Sequence, residues 1–238
     1  MSTENLLTIL DPDQPDQPFP NANSALKDPD GLLAVGGCLS SIRLVKAYSQ
    51  GIFPWFSTEE PILWWSPDPR LILYPDDLIV SRSLNKTLHR KHFTVTFDNA
   101  FADVISACSE LRTAQEGTWI TEEMKTAYLS LHQQGIAHSV EAWSGCELVG
   151  GLYGLAIGQA FFGESMFHRQ TDASKVAFVT LIEHLKAWNY QLIDCQVRTD
   201  HLVSLGATEI PRADFLLQLE NLCQSPAHEL AWKTFPDK

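Results

Sequence analysis

Two short segments carry the residues best placed to do chemistry. In residues 158–175, GQAFFGESMFHRQTDASK, the piece 161–167 reads as a strand. A side-chain period of two puts Phe162, Glu164 and Met166 on one face. An ionised acid between apolar neighbours on a buried face is costly unless it finds a partner or a ligand. Residues 192–196, LIDCQ, repeat the theme, with Asp194 and Gln196 two positions apart and so on a shared face. These strands read as the floor of one polar site. Two bland readings stand beside that one: Asp194 paired with Arg198 or His201, and Glu164 held by a backbone amide. Other chemistries find no support. The chain has no G-x-x-x-x-G-K-S/T, no G-x-G-x-x-G between a strand and a helix, and no G-x-S-x-G elbow.

The elements that must position these residues follow from pattern. Residues 1 to about 24 are polar, acidic and Pro-rich, and only partial order is expected there. Ser40 or Ser41 starts a helix through Tyr48, closed by Gly51. Residues 52–65 are dense in aromatics and prolines, including Phe53, Trp55, Trp64 and Trp65, and serve either as a small-domain core or as a wall for a planar ligand. SPDPR marks a turn and a domain boundary, giving units 1–70 and 71–238. A strand at 71–74 precedes the helix SRSLNKTLHRK, whose Arg82, Lys86, His89 and Arg90 share one side, opposite Leu84 and Leu88. A solvated face is the ordinary explanation, but clustering in an acidic chain points to an anionic partner such as a nucleic-acid backbone. Asp98 and Thr121 cap two further helices, and EGTWIT between them puts Trp119 in a loop. Three antiparallel strands follow over 137–167, then a long helix from Thr171 or Asp172 to Trp188, the LIDCQ strand, and a short helix ending at Gly206.

At 238 residues and 45% apolar content the chain can bury a core in one or two domains. No apolar run approaches the roughly 20 residues of a membrane span. The N-terminus lacks the basic start and apolar stretch of a signal peptide, so a cytoplasmic protein is expected. Five scattered cysteines without a C-x-x-C, and no H-x-x-x-H pair, support neither a disulfide framework nor a zinc site. A net charge of −12 argues against indiscriminate coating of nucleic acid, though not against a local basic patch.

The order of three antiparallel strands, a helix and one more strand makes the fold class α+β, and the C-terminal unit resembles the acyl-CoA N-acetyltransferase fold. The strand-to-helix junction HRQTDASK holds no glycine, however, where that fold would bring backbone amides to a cofactor pyrophosphate. The motifs FPWF, WWSPDPR, GTWIT, AHSVE, LVGGLYG, FFGESMF, DASK, LIDCQ, HLVSLGA and EIPR, in this order over residues 19–215, together resemble the leucyl/phenylalanyl-tRNA–protein transferase family. The resemblance implies transfer of a leucyl or phenylalanyl group, methionyl less readily, from tRNA to an N-terminal Arg or Lys. The acceptor is thereby marked for the bacterial N-degron pathway. An amine attacking an activated ester needs no ATP, metal or other cofactor. The resemblance further assigns Asp194, Gln196 and Glu164 to catalysis. Asp194 would orient or deprotonate the acceptor ammonium, Gln196 would bond the aminoacyl end, and Glu164 would hold the aminoacyl α-amine. Trp55, Trp119, Phe162 and Met166 would line the aminoacyl and adenine pocket. Arg82, Lys86, His89 and Arg90 would bind tRNA, with His89 standing where a stronger cation is usual. Cys38, in GGCLS, stands where an Asp is usual. A monomer is expected, and Asp194→Ala should abolish transfer while leaving the fold intact. The rivals are a non-catalytic tRNA- or peptide-end-binding module and, more remotely, a CoA-dependent acetyltransferase.

Overall fold

The computed structural model describes residues 7–113 and 120–233. Four strands, β1 (Thr8–Leu10), β2 (Leu32–Gly36), β3 (Phe53–Pro54) and β4 (Leu63–Trp65), form a small sheet in the order β1-β2-β4-β3, with helix α1 (Ser41–Ser49) between β2 and β3. The large sheet holds β5 (Arg70–Leu73), β6 (Thr94–Phe97), β7 (Ala137–Ser144), β8 (Glu147–Ile157), β9 (Ala160–His168), β10 (Leu192–Gln196) and β11 (Thr208–Ile210). Its order is β11-β5-β10-β9-β8-β7-β6. Helices α2 (Arg82–His89), α3 (Phe101–Thr113), α4 (Glu122–Gln133), α5 (Ala173–Ala187), α6 (Asp200–Ser204) and α7 (Arg212–Leu222) connect these strands.

The expected α+β class is observed. Strands β7, β8 and β9 form an antiparallel meander, and α5 then carries the chain across so that β10 lies parallel to β9. Ser40, Ser81 and Thr121 cap α1, α2 and α4 by accepting from the N–H three residues on. Asp98 does not cap α3. Its carboxylate accepts from the Ser139 amide at 2.9 Å and meets His138 Nδ1 at 2.8 Å, so it ties the α3 entry to β7. Strands β6 and β11 and helix α7 were not foreseen. The two strands are short edge strands, where hydrophobic alternation has little length in which to show.

Residues 7–24 are tied down more firmly than the expectation of partial order over 1–24 allows. Strand β1 pairs parallel to β2, Leu10 and Phe19 are buried, and Lys46 Nζ donates to the Asp16 carbonyl at 2.8 Å. One apolar cluster joins the small sheet and α1 to α3, α4 and α7 on one face of the large sheet. The second cluster lies on the opposite face, under α2 and α5. Among the described residues no helix is long and apolar enough to cross a membrane.

Candidate active site

The site is built by two interruptions in strand regularity. Along β8 and β9, Gly154 pairs with Gly163 but Tyr153 pairs with Ser165, so Glu164 is an extra residue in a bulge. A Cβ at Gly154 would strike the Phe162 carbonyl, so the bulge needs glycine opposite it. The extra residue reverses the alternation beyond it. Phe162 therefore packs in the first cluster and Met166 against the second, and the expectation that Phe162, Glu164 and Met166 share a face is corrected. A second bulge lies on β10, where Asp194 pairs with Ile72 and Gln196 with Leu71, leaving Cys195 extra and Gln196 at φ +62. Pairing of β9 with β10 ends at Asp194 and Phe162. Past that point the strands part, and a cavity of about 480 Å³ opens between them.

Glu164 is buried and lines this cavity. Its Oε1 accepts from Tyr48 Oη at 2.7 Å and from Gln196 Nε2 at 2.7 Å, and its Oε2 accepts from Tyr128 Oη at 2.9 Å. The two phenols also touch each other. Burial pushes the Glu164 carboxyl up to about 7, against those three hydrogen bonds, with the nearby charge of Asp194 adding to the rise. Burial first, and the Glu164 charge second, raise both phenols well above their ordinary value, so they remain donors. Cys195 also lines the cavity, but burial and then the Asp194 charge raise its thiol, which disfavours the nucleophilic thiolate.

Asp194 does not reach the cavity. It is fully buried, and Arg70 holds it by a two-pronged ion pair, Nε to Oδ1 at 2.8 Å and Nη2 to Oδ2 at 2.6 Å. The Arg70 guanidinium lies over the rings of Phe53 and Phe215, 4.8 and 4.7 Å from their centroids, and donates to the Gly51 carbonyl at 3.2 Å. Arg198 instead pairs with Glu209, so neither anticipated counter-ion is the one used. Gln196 links the two acids: its backbone N–H donates to Asp194 Oδ1 at 2.9 Å, and its side-chain amide donates to Glu164.

Of the expected pocket residues, Trp55 and Met166 line the cavity, with Phe53, Pro54, Phe161, Phe178, Leu181 and Val197 completing its apolar wall. Trp55 is 46% exposed and stands at the opening, whereas Phe162 is fully buried behind the wall, edge-on to Tyr48. Trp119 lies outside the described residues. Arg82, Lys86, His89 and Arg90 are all exposed on or just after α2, away from the cavity lining. Leu84 is buried beneath them. His89 Nδ1 lies 2.7 Å from the Asn85 carbonyl and donates to it. Among the described residues, no group of three or more His, Cys, Asp or Glu could hold a metal ion.

Tyr48, Tyr128 and Arg70 were missed as site residues. The tyrosines fall on apolar helical stripes, where a ring reads as core, and Arg70 ends a turn motif. Only the buried position of their acidic partners distinguishes them.

Comparison with known proteins identifies the family. A family model described as leucyl/phenylalanyl-tRNA protein transferase matches residues 72–220, and one for the N-terminal domain of that transferase matches residues 37–68. A leucyl/phenylalanyl-tRNA–protein transferase of Methylococcus capsulatus is 54% identical over 97% of this chain and 98% of its own length. The protein of that name from Pseudomonas fluorescens Pf-5 is 58% identical over 89% of this chain and 94% of its own. Among solved structures, L-PGS from Bacillus licheniformis overlays at TM-score 0.41 and 11% identity, over 64% of this chain and 51% of that one. A GCN5-related N-acetyltransferase from Kribbella flavida overlays at 0.35 and 13%, over 69% and 58%. Overlays this loose bear on neither chemistry nor partners. The match to both parts of the family, and to relatives over nearly their whole length, shows that this chain belongs to the leucyl/phenylalanyl-tRNA–protein transferases.

Proposed function

We propose that the chain moves a leucyl or phenylalanyl group, and methionyl less readily, from aminoacyl-tRNA to the N-terminal Arg or Lys of an acceptor protein. The acceptor becomes a substrate of the N-degron pathway, and the enzyme works as a cytoplasmic monomer. The observation that carries this reading is a single buried acid, Glu164, among the mainly apolar residues that line the cavity. An apolar side chain bearing an α-ammonium is the ligand such a cavity suits: the chain fills the wall and the ammonium meets the carboxylate.

In the reaction, the acceptor's neutral α-amine attacks the ester carbonyl, the C–N bond forms, the bond to the ribose oxygen breaks, and that oxygen takes up a proton. Glu164 holds the donor α-ammonium. Gln196 donates to Glu164, which aims its amide oxygen at the attacking amine. Asp194, with Arg70, acts through Gln196 as a positioning residue. Met166 and the aromatic wall accept unbranched, γ-branched or aromatic side chains, and Trp55 and Trp119 stack on the terminal adenine. The unit 1–70 supplies Phe53, Pro54 and Trp55, and the unit 71–238 supplies the acids. Arg82, Lys86, His89 and Arg90 hold tRNA phosphates.

The test is incubation with labelled Phe-tRNA and an Arg-starting protein, with an Ala-starting protein as control. Label should enter only the first. An Arg-starting protein of unchanged mass would remove the proposal.

A further inference from the structure

A second cavity, of about 460 Å³, lies against the first and shares Met166 and His201 with it. Its remaining lining is His168, Thr171, Asp172, Ser174 and Lys175, at the point where β9 feeds α5. None of these residues has a place in the acyl-transfer chemistry above.

Three observations mark it as a place for a ligand. Ser174 is 5% exposed, lines the cavity, and its hydroxyl has no hydrogen-bond partner among the described residues. The helix α5, 15 residues long, begins here with Asp172 at its cap in a left-handed conformation, and the Asp172 side chain caps no amide. The positive end of the helix dipole therefore lies at the cavity, where Ser174 and Lys175 of the first turn line it, while the Ala173 N–H is taken by the Gln170 carbonyl. Lys175, His168 and His201 surround the same space, and burial first, then the charges of Lys175 and His168, disfavour the charged form of His201. Asp172 sits among them: Oδ1 accepts from Lys175 Nζ at 3.2 Å, and Oδ2 lies 3.4 Å from Thr87 Oγ1 of α2, whose one proton it shares with the Ser83 carbonyl. An ammonium has two further N–H groups to offer. The site thus gathers several donors around one carboxylate that is already ion-paired, which suits a singly charged oxyanion.

Its location names the oxyanion. The bond from Thr87 to Asp172 joins the basic helix α2 to the rim of this cavity, and the cavity in turn adjoins the one that holds Glu164. Resting on the functional reading above, we propose that the second cavity binds a phosphodiester of the single-stranded 3′ end of the aminoacyl donor. Ser174, Lys175 and the first turn of α5 are its donors. The 3′-terminal ester then enters the first cavity while α2 holds the folded part of the RNA.

Three donors separate the possibilities: 3′-phenylalanyl-adenosine, which has no phosphate, a phenylalanyl-CpA dinucleotide, which has one phosphodiester, and Phe-tRNA. For the wild-type protein the dinucleotide should show a KM about tenfold below that of the nucleoside, the scale of one charge-assisted hydrogen bond. Lys175→Ala and Ser174→Ala should each raise KM for the dinucleotide and for Phe-tRNA several-fold, toward the nucleoside value. Transfer from the nucleoside should stay within about twofold, which also reports an intact fold. Replacing Arg82, Lys86 and Arg90 with Ala should weaken Phe-tRNA alone. Equal losses on all three donors, or a dinucleotide no better than the nucleoside, would overturn the subsite while leaving the functional reading in place. A wild-type protein that uses none of the donors would overturn both.

Discussion

Glu164 is the residue on which pH should act. Its folded value of about 7 lies above the ordinary 4.5, so between those limits the folded protein keeps a proton that the unfolded chain has released. Stability contributed at this position is therefore present at low pH and is lost as pH rises through 7. Urea unfolding at pH 5 and pH 8 should show wild type losing up to about 3 kcal/mol relative to Glu164→Gln over that interval. A gap that does not change with pH would contradict the assignment. Activity should run the other way. A neutral Glu164 cannot pair with an ammonium, so KM for Phe-tRNA should rise as pH falls from 8 to 6. Asp194 makes a different demand. Asp194→Ala leaves the Arg70 guanidinium buried without its counter-charge, at a cost of about 3–5 kcal/mol, so the expectation of an intact fold gives way to one of a lowered Tm. Arg70→Met combined with Asp194→Leu should recover most of that stability while transfer stays low. Recovered transfer in the double variant would show that the ion pair does not position Gln196.

At the scale of elements, the bulges decide the site. Alternation along FFGESMF correctly grouped Phe162 with Glu164, but it fails past the extra residue, and Met166 turns to the other face. In LIDCQ the same device sends the Asp194 carboxylate to Arg70 and the Gln196 side chain to Glu164. Helix α2 was legible because its pattern is simple: a buried Leu84 below an exposed row of cations. If that row meets phosphates, replacing Arg82, Lys86 and Arg90 with Ala should flatten the salt dependence of Phe-tRNA binding by about 2–3 in the log–log slope. An unchanged slope would place the RNA elsewhere.

At the scale of the molecule, the first apolar cluster runs without a break from Leu10, Trp64 and Tyr48 of the N-terminal part to Phe101, Tyr128 and Phe215 of the remainder. The Glu164 carboxylate is held from both parts at once, by Tyr48 and by Tyr128. Such a shared core should unfold as one unit. Urea transitions followed by tryptophan fluorescence, with Trp64 in the small sheet, and by far-UV circular dichroism should coincide. Two separated midpoints would show units that fold alone.

The sequence by itself determined the α+β class, the meander, the crossover helix, the basic helix, and which two short strands carry acids. All of these depend on near neighbours, through periodicity, caps and turn residues. The partners of those acids were decided only in the tertiary structure. Arg70 lies 124 residues from Asp194, and Tyr48 lies 116 from Glu164. A contact across such separations leaves no local pattern, because burial and charge compensation belong to the packed interior and not to the chain.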